Sequence, residues 1–324
     1  MKALCFDRFG GPEVLEYRDL PDPVPAPGQA IVRTAAIGLN FADVYRRRGE
    51  YHLAGSPPYV PGYEAAGVVE SVEPGEGDLP RFSPGDRVGL ADSPFANAEK
   101  VRVPLDRLIP LPDDIDFETV AGLLLQGLTA QYLTRDSHPL RPGETAVVHA
   151  AAGGVGLLLV QIAKLLGARV YGLTSSEEKR AAALAAGADG VFLYRQDWLG
   201  SLREATGGRG ADVAYDSVGT TLPESFAAVR TGGHVVFYGM AGGKPAPVDP
   251  AMLMDSSKSL TGGDLWNVLN GWEERVRRAG ELFQWVRSGQ LQVRISARFP
   301  LAEGAEAHAF LESRGSIGKV LLLP

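Results

Sequence analysis

One segment limits what this chain can fold into more than any other: His149-Ala-Ala-Ala-Gly-Gly-Val-Gly156. It follows an apolar strand pattern over Thr145–Val148, opens a helical pattern over Val155–Leu166, and leads to a second strand pattern over Arg169–Leu173. Strand, glycine turn and helix together form a receptor for a phosphate-bearing cofactor. Gly153 lets the backbone approach a pyrophosphate, Gly156 lets helix and strand pack closely, and the helix N-terminus offers unpaired N–H donors to the anion. Ala151 stands where the first glycine of the usual Gly-x-Gly-x-x-Gly would be. The competing reading is a tight turn with a purely structural role.

The rest of the chain sets the frame around that turn. At 324 residues it can hold two domains, each with its own core. A net charge of −7 argues against nucleic acid or an anionic membrane as the main partner. The single cysteine, Cys5, rules out an internal disulfide and cysteine-rich zinc sites. With no signal-like or long apolar segment read in the sequence, a cytoplasmic protein is expected.

Up to about Phe117 the pattern is irregular β. Ala3–Phe6, Leu15–Arg18, Ile31–Ala36, Ala65–Val72 and Arg87–Leu90 are strand candidates, and Phe41–Arg48 is a short helix candidate. Pro21, Pro23, Pro25 and Pro27 mark a loop that no helix crosses. Four strand-then-helix units follow: Thr145–Leu166, Arg169–Ala186, Val191–Ala205 and Asp212–Val229, with His234–Tyr238 as a fifth strand. That alternation predicts a mainly parallel, doubly wound sheet covered on both faces. In the tail, Trp272, Val276, Ala279, Phe283 and Val286 share a helix face. A strand over Gln292–Phe299, a helix over Ala305–Leu311 and a strand over Lys319–Leu323 then return to the first domain. The expected division is 1–118 with 268–324 as the mainly β catalytic domain and 119–267 as the dinucleotide-binding domain, an α/β Rossmann fold.

The second strand also speaks to the cofactor. An NAD site usually has Asp or Glu about twenty residues past the glycines to accept from the ribose 2′-OH. Here the strand ends in Leu173-Thr174-Ser175-Ser176, with Lys179 and Arg180 beyond. Hydroxyls and cations suit a 2′-phosphate, so NADPH is favoured over NADH. Ser175-x-x-Glu178 also reads as a capping box, and Lys179 as a solvated helix charge.

With these segments placed, the chain resembles the medium-chain dehydrogenase/reductase superfamily, and within it the zinc-free quinone oxidoreductases related to zeta-crystallin. The resemblance rests on Gly38–Gly49, Pro61–Val69, Gln126-Gly-Leu-Thr129, His149–Gly156, Tyr215-Asp-Ser-Val-Gly219 and Glu312-Ser-Arg314, and spans essentially the whole length. It implies a GroES-like fold for the mainly β domain. Where zinc alcohol dehydrogenases carry Cys, His and Cys, this chain has Asn40, Tyr63 and Gln126, so no metal site is expected. Without a metal, hydride donation to a quinone or conjugated enone remains, because the developing oxyanion is delocalised and needs only hydrogen-bond donors.

Asn40, Tyr45 and Tyr51 are the candidate catalytic donors, ranked above Tyr63. For each tyrosine, structural packing is the competing role. The resemblance further implies that Phe41, Asp43 and Tyr45 lie along the cofactor, Thr129 near the nicotinamide, and Gly153, Gly154, Val155 and Gly156 on the pyrophosphate. Ser176, Lys179 and Tyr194 would frame the adenosine and its 2′-phosphate, with Arg314 adding charge, and Val218 and Gly239 lie at strand ends. Asp43 either orients its neighbours, contacts ribose or caps the short helix. The leading expectation is an NADPH:quinone oxidoreductase. The rivals are an NADPH-dependent enone or enoyl reductase and a non-catalytic, crystallin-like NADPH-binding protein. A homodimer formed along an edge strand at Ser259–Gly262 is also expected.

Overall fold

In a computed structural model, which describes residues 1–75 and 81–324, the alternating runs after Thr145 form a six-stranded, wholly parallel sheet. Its spatial order is Gly190–Leu193, Arg169–Thr174, Thr145–Val148, Ala211–Asp216, Val229–Phe237 and Ser259–Gly262. Chain progress runs outward in both directions from Thr145–Val148. The strand ends at Val148 and Asp216 therefore flank the switch point, where ligands bind in sheets of this kind. Helices Gly154–Leu165, Glu177–Ala185, Trp198–Ala205 and Leu222–Ala228 fill the crossovers. Val147, Leu173, Leu202, Ala214, Phe226 and Val235 lie in one buried cluster, where each Val, Leu or Phe side chain contributes roughly 1.5–3 kcal/mol. These elements belong to one unit, Gln126–Val268 with Gly289–Gln292.

The other unit comprises Met1–Leu125, Leu269–Ser288 and Val293–Pro324. Its seven-stranded sheet runs Ile295–Pro300, Lys319–Leu323, Gln29–Leu39, Glu64–Glu73, Arg87–Ala91 and Leu108–Pro110, with Lys100–Pro104 also paired to Gln29–Leu39. The last strand lies antiparallel to Gln29–Leu39, with Val320 opposite Leu39, so the tail supplies strands to the sheet begun near the N-terminus. The helix Phe41–Arg47 sits directly after the longest of these strands. It is pinned by Arg47, which is wholly buried, donates to Gly10 O and to His308 Nδ1 at 3.0 Å, and pairs with Glu312.

Four differences from the sequence reading have identifiable causes. The expected strand His234–Tyr238 begins earlier, at Val229, because Val229 already pairs with Ala211 before an irregularity in the register. The strand expected from Gln292 begins at Ile295, because the Gln161 side-chain amide binds both the N–H and the carbonyl of Gln292. The helix Phe117–Tyr132 carries Gly122 and Gly127, which weaken its helical signal. Gly122 has a packing reason, since a Cβ there would come within 2.7 Å of Val293. In the helix Trp272–Arg287 the most buried residues are Arg275, Arg278, Ala279, Leu282 and Phe283, while Val276 and Val286 are only half-buried. Arg275 is held inside by donating to Ala91 O at 2.9 Å.

Candidate functional site

The glycine turn is shaped by a residue that is not glycine. Ala150 takes a φ of +47°, in the left-handed region that costs an L side chain energy unless its surroundings hold it there. Its carbonyl accepts from Gly153 N–H at 2.8 Å and packs on Gly156, where any Cβ would overlap that oxygen. The helix Gly154–Leu165 follows, with Gly153 as N-cap and no side-chain capping bond to its first N–H groups. Donors left open in this way suit an anion. A Cβ on Gly154 would overlap the Gln126 side-chain amide, so Gln126 packs directly on the turn. Thr129, nearly buried, lies one helical turn beyond Gln126.

The neighbouring strand ends complete this half of the site. Ser176 caps the helix Glu177–Ala185, its hydroxyl accepting from Lys179 N–H at 3.3 Å. The capping residue is therefore Ser176 rather than Ser175, which corrects the capping box read from the sequence. Lys179 lies in the first turn of that helix. Val218 N–H and Gly219 N–H donate to Asp216 Oδ1 at 2.8 and 3.0 Å, and Gly239 approaches the Ser217 backbone closely enough to leave a Cβ only 3.1 Å from Ser217 O. Tyr194 sends its hydroxyl to the turn, where it lies 2.9 Å from Ala150 N and 3.2 Å from His149 Nδ1.

In the mainly β unit, Asn40, Asp43, Arg46, Tyr63, Glu64 and Lys319 form a buried charged cluster, each no more than 4% exposed. Lys319 Nζ donates to Glu64 Oε2 at 2.5 Å and to Asn40 Oδ1 at 2.8 Å. The Asn40 amide donates to Glu64 Oε2 at 2.9 Å and Gly38 O at 3.1 Å, and Leu125 N–H donates to Glu64 Oε1 at 2.7 Å. Burial pushes the Lys319 ammonium down from its usual range, and Glu64 opposes that push. Asp43 accepts from Asn40 N–H at 2.9 Å and pairs with Arg46 at 3.3 Å, so it ties the start of the short helix to the cluster. Burial pushes its carboxyl up, against the pull of Arg46.

Arg46 lies 3.4 Å over the Tyr63 ring and 5.0 Å from the Tyr51 ring. The Tyr63 hydroxyl accepts from Ala54 N–H. Tyr45 is 9% exposed and packs beside Phe41, with ring centroids 6.1 Å apart. Arg314 is exposed, at a φ of +60° just past the helix Gly304–Glu312. The structure thus gathers Asn40, Asp43, Tyr51 and Tyr63 around Arg46 and Glu64, and gathers Tyr194, Val218 and the glycines around the parallel strand ends.

Sequence reasoning did not single out Glu64 and Lys319. Each heads an apolar run (Ala65–Val69 and Val320–Leu323), and two opposite charges opening buried strands were the available signal. His149, Asp216 and Ser225 were likewise not assigned roles, although the first two fall inside quoted motifs.

Family profiles match two segments. Residues 26–142 fit an alcohol dehydrogenase GroES-like domain, and residues 154–282 fit a zinc-binding dehydrogenase. A quinone oxidoreductase of Pseudomonas aeruginosa is 41% identical, over 100% of this chain and 99% of its own. A 2-haloacrylate reductase of a Burkholderia species is 39% identical over 99% of this chain and 98% of its own. The crystal structure of Escherichia coli quinone oxidoreductase complexed with NADPH superposes with a TM-score of 0.96 at 36% identity, covering 100% of both chains.

The zinc named in the second profile does not fit the residues present. Asn40 is bonded to Lys319 and Glu64, Tyr63 lies beneath a guanidinium, and a buried ammonium already supplies positive charge there. Among the described residues, no group of three or more His, Cys, Asp or Glu is arranged to hold a metal ion. Full-length identity to these relatives, the two matched profiles and the two folds together show that the chain belongs to the medium-chain dehydrogenase/reductase superfamily, in the group of its quinone oxidoreductases.

Proposed function

We propose that this protein is an NADPH-dependent quinone oxidoreductase that passes reducing equivalents to a quinone without a metal. The observation that carries the reading is the full-length likeness to quinone oxidoreductases, joined to a glycine turn and a second strand that ends without a carboxylate. NADPH, when bound, supplies the hydride. The open N–H groups after Gly153 and the residues Gly154, Val155 and Gly156 take its pyrophosphate, and Ser176 and Lys179 take its 2′-phosphate, with Arg314 adding charge. Tyr194, Val218 and Gly239 border the cofactor at the strand ends, and Thr129, Phe41, Asp43 and Tyr45 lie along it. We assign this cofactor role chiefly to 119–267, and the substrate role to 1–118 with 268–324.

On the substrate side, Tyr45 and Tyr51 donate hydrogen bonds to the oxygen on which charge develops, and their rings give a flat face to a flat acceptor. Asn40, expected as a third donor, gives its amide hydrogens to Glu64 and Gly38 and accepts from Lys319, so it serves this side by holding the buried cluster in place. The likeness to a 2-haloacrylate reductase supports a second reading, reduction of a carbon–carbon double bond conjugated to an electron-withdrawing group. That reaction needs the same hydride placement.

The test is anaerobic NADPH oxidation with a naphthoquinone, a benzoquinone, a simple alkenal and 2-chloroacrylate in parallel. Turnover of the quinones is expected. Turnover of the alkenal or the haloacrylate alone establishes the second reading, and NADPH binding without any turnover overturns both.

We place the protein in the cytoplasm, consistent with its acidic balance and single buried cysteine; no described helix is long and apolar enough to cross a membrane. The half-exposed strand Ser259–Gly262 ends the parallel sheet and supports a homodimer formed by continuing that sheet across two chains. A sedimentation mass of one chain at micromolar concentration would remove the dimer.

A further inference from the structure

Behind the glycine turn runs a chain of buried polar groups that the reaction itself does not call for. Ala150 N–H donates to Tyr194 Oη at 2.9 Å, and Tyr194 Oη lies 3.2 Å from His149 Nδ1. His149 Nε2 lies 3.0 Å from Ser225 Oγ, and Ser225 Oγ donates to Asp216 Oδ2 at 2.6 Å. His149, Ser225 and Asp216 have no exposed surface. The His149 ring is further boxed in by Trp198, edge-on at 5.7 Å.

The two ends of this chain set the protons in it once His149 is neutral, the form that its burial favours. A peptide N–H can only donate, and an ionised carboxylate can only accept. Ser225 therefore gives its single hydrogen to Asp216 and accepts from His149 Nε2–H. His149 is left with a bare Nδ1, which accepts the Tyr194 hydroxyl hydrogen, and Tyr194 accepts from Ala150. With His149 neutral, this arrangement satisfies all five groups. Asp216 is fixed independently, because it also accepts from Val218 N–H, Gly219 N–H and the Thr221 hydroxyl. The chain thus ties the loop after the strand Ala211–Asp216 to the strained Ala150 peptide. Ala150 in turn places its carbonyl against Gly153 and Gly156.

We propose that His149 and Ser225 are positioning residues for NADPH: through Tyr194 they hold the Ala150 peptide in its left-handed conformation and so preshape the phosphate-binding turn. This rests on the reading of that turn as the NADPH site. It differs from a contact role, because neither residue has to touch the cofactor. Pre-organisation of this kind is read in affinity, since a turn that must be ordered on binding binds more weakly.

The test is the NADPH dissociation constant, measured by fluorescence for the parent protein and for Ser225→Ala, Tyr194→Phe and the double variant. Each single substitution is expected to weaken binding about tenfold, the effect of one lost buried hydrogen bond. The double variant is expected to stay near tenfold, because either cut already breaks the chain. Ser225→Thr, which keeps the hydroxyl, should bind within about twofold of the parent. Effects that multiply to about a hundredfold, or a folded Ser225→Ala with unchanged affinity, overturn the proposal.

Should Ser225→Ala fail to fold, the unmodified protein decides. It has five histidines, and its nitrogen-15 spectrum must show His149 protonated on Nε2 and bare on Nδ1. The opposite tautomer overturns the chain without reference to NADPH. A parent protein that shows this tautomer and binds no NADPH would instead overturn the functional reading.

Discussion

Replacing Lys319 by methionine would strip the buried cluster of its central cation. Lys319 is 1% exposed and Glu64 is fully buried, so no solvent stands ready to take over. Glu64 would keep two neutral donors, Asn40 Nδ2 and Leu125 N–H, and lose the one cation bonded to it. Removing one partner of a buried pair typically costs about 3–5 kcal/mol, and that is the loss expected near neutral pH. Adding Glu64→Gln should bring the cost down to about 1–2 kcal/mol, because no buried charge is then left unpaired.

The assay is urea unfolding near neutral pH of the parent, the single and the double variant. Native-state hydrogen exchange at the amides of Glu64–Glu73 and Lys319–Leu323 would localise the effect. A Lys319→Met protein within about 0.5 kcal/mol of the parent at neutral pH, the scatter of ordinary surface substitutions, would refute the reasoning. So would a double variant less stable than the single one.

Lys179→Ala should reduce the NADPH/NADH affinity ratio about tenfold, the effect of one charge-assisted contact; an unchanged ratio in paired titrations would remove that lysine from the 2′-phosphate site. Tyr51→Phe should lower quinone turnover about tenfold or more if its hydroxyl meets the developing oxyanion; unchanged steady-state kinetics would eliminate it as a donor. Asp212 is buried, which alone would raise its pKa, but Arg209, Arg230 and Thr145 N–H outweigh burial and draw it down to about 2. Its contribution, on the order of 2 kcal/mol, is present above about pH 4 and lost as pH falls towards about 2. Acid-unfolding curves of Asp212→Asn should lack that step.

The fold was largely legible because its signals are local. Turn glycines, β-branched runs and helical periodicity lie within a dozen residues of one another, so the strand–turn–helix at 145–166 and the final strand Lys319–Leu323 could be placed from sequence. The helix Phe117–Tyr132 escaped because its glycines lower helix propensity for reasons of packing that sequence does not carry. The charged cluster escaped for a different reason. Lys319 and Glu64 are 255 positions apart, and only strand register brings them together. Asn40 was singled out as a donor from its place in a motif, but which groups its own amide binds depends on that distant pair. Tyr194 was likewise placed from sequence beside the adenosine, while the partners of its hydroxyl depend on where strand ends fall in a parallel sheet.

The strand Lys319–Leu323 lies between Ile295–Pro300 and Gln29–Leu39, and this sets an order of assembly during synthesis. The parallel sheet draws all its strands from one continuous stretch, 145–262, and can close while the chain is still growing. The mainly β sheet cannot. Its strands between Gln29 and Pro110 can pair with one another early, but Glu64 lacks its cation until Lys319 is made. Among the described residues Ile295–Pro300 pairs only with Lys319–Leu323, so shortening the chain before Lys319 would leave it without a partner and remove the counter-charge together. In a nascent protein, that waiting half is the one for a chaperone to guard.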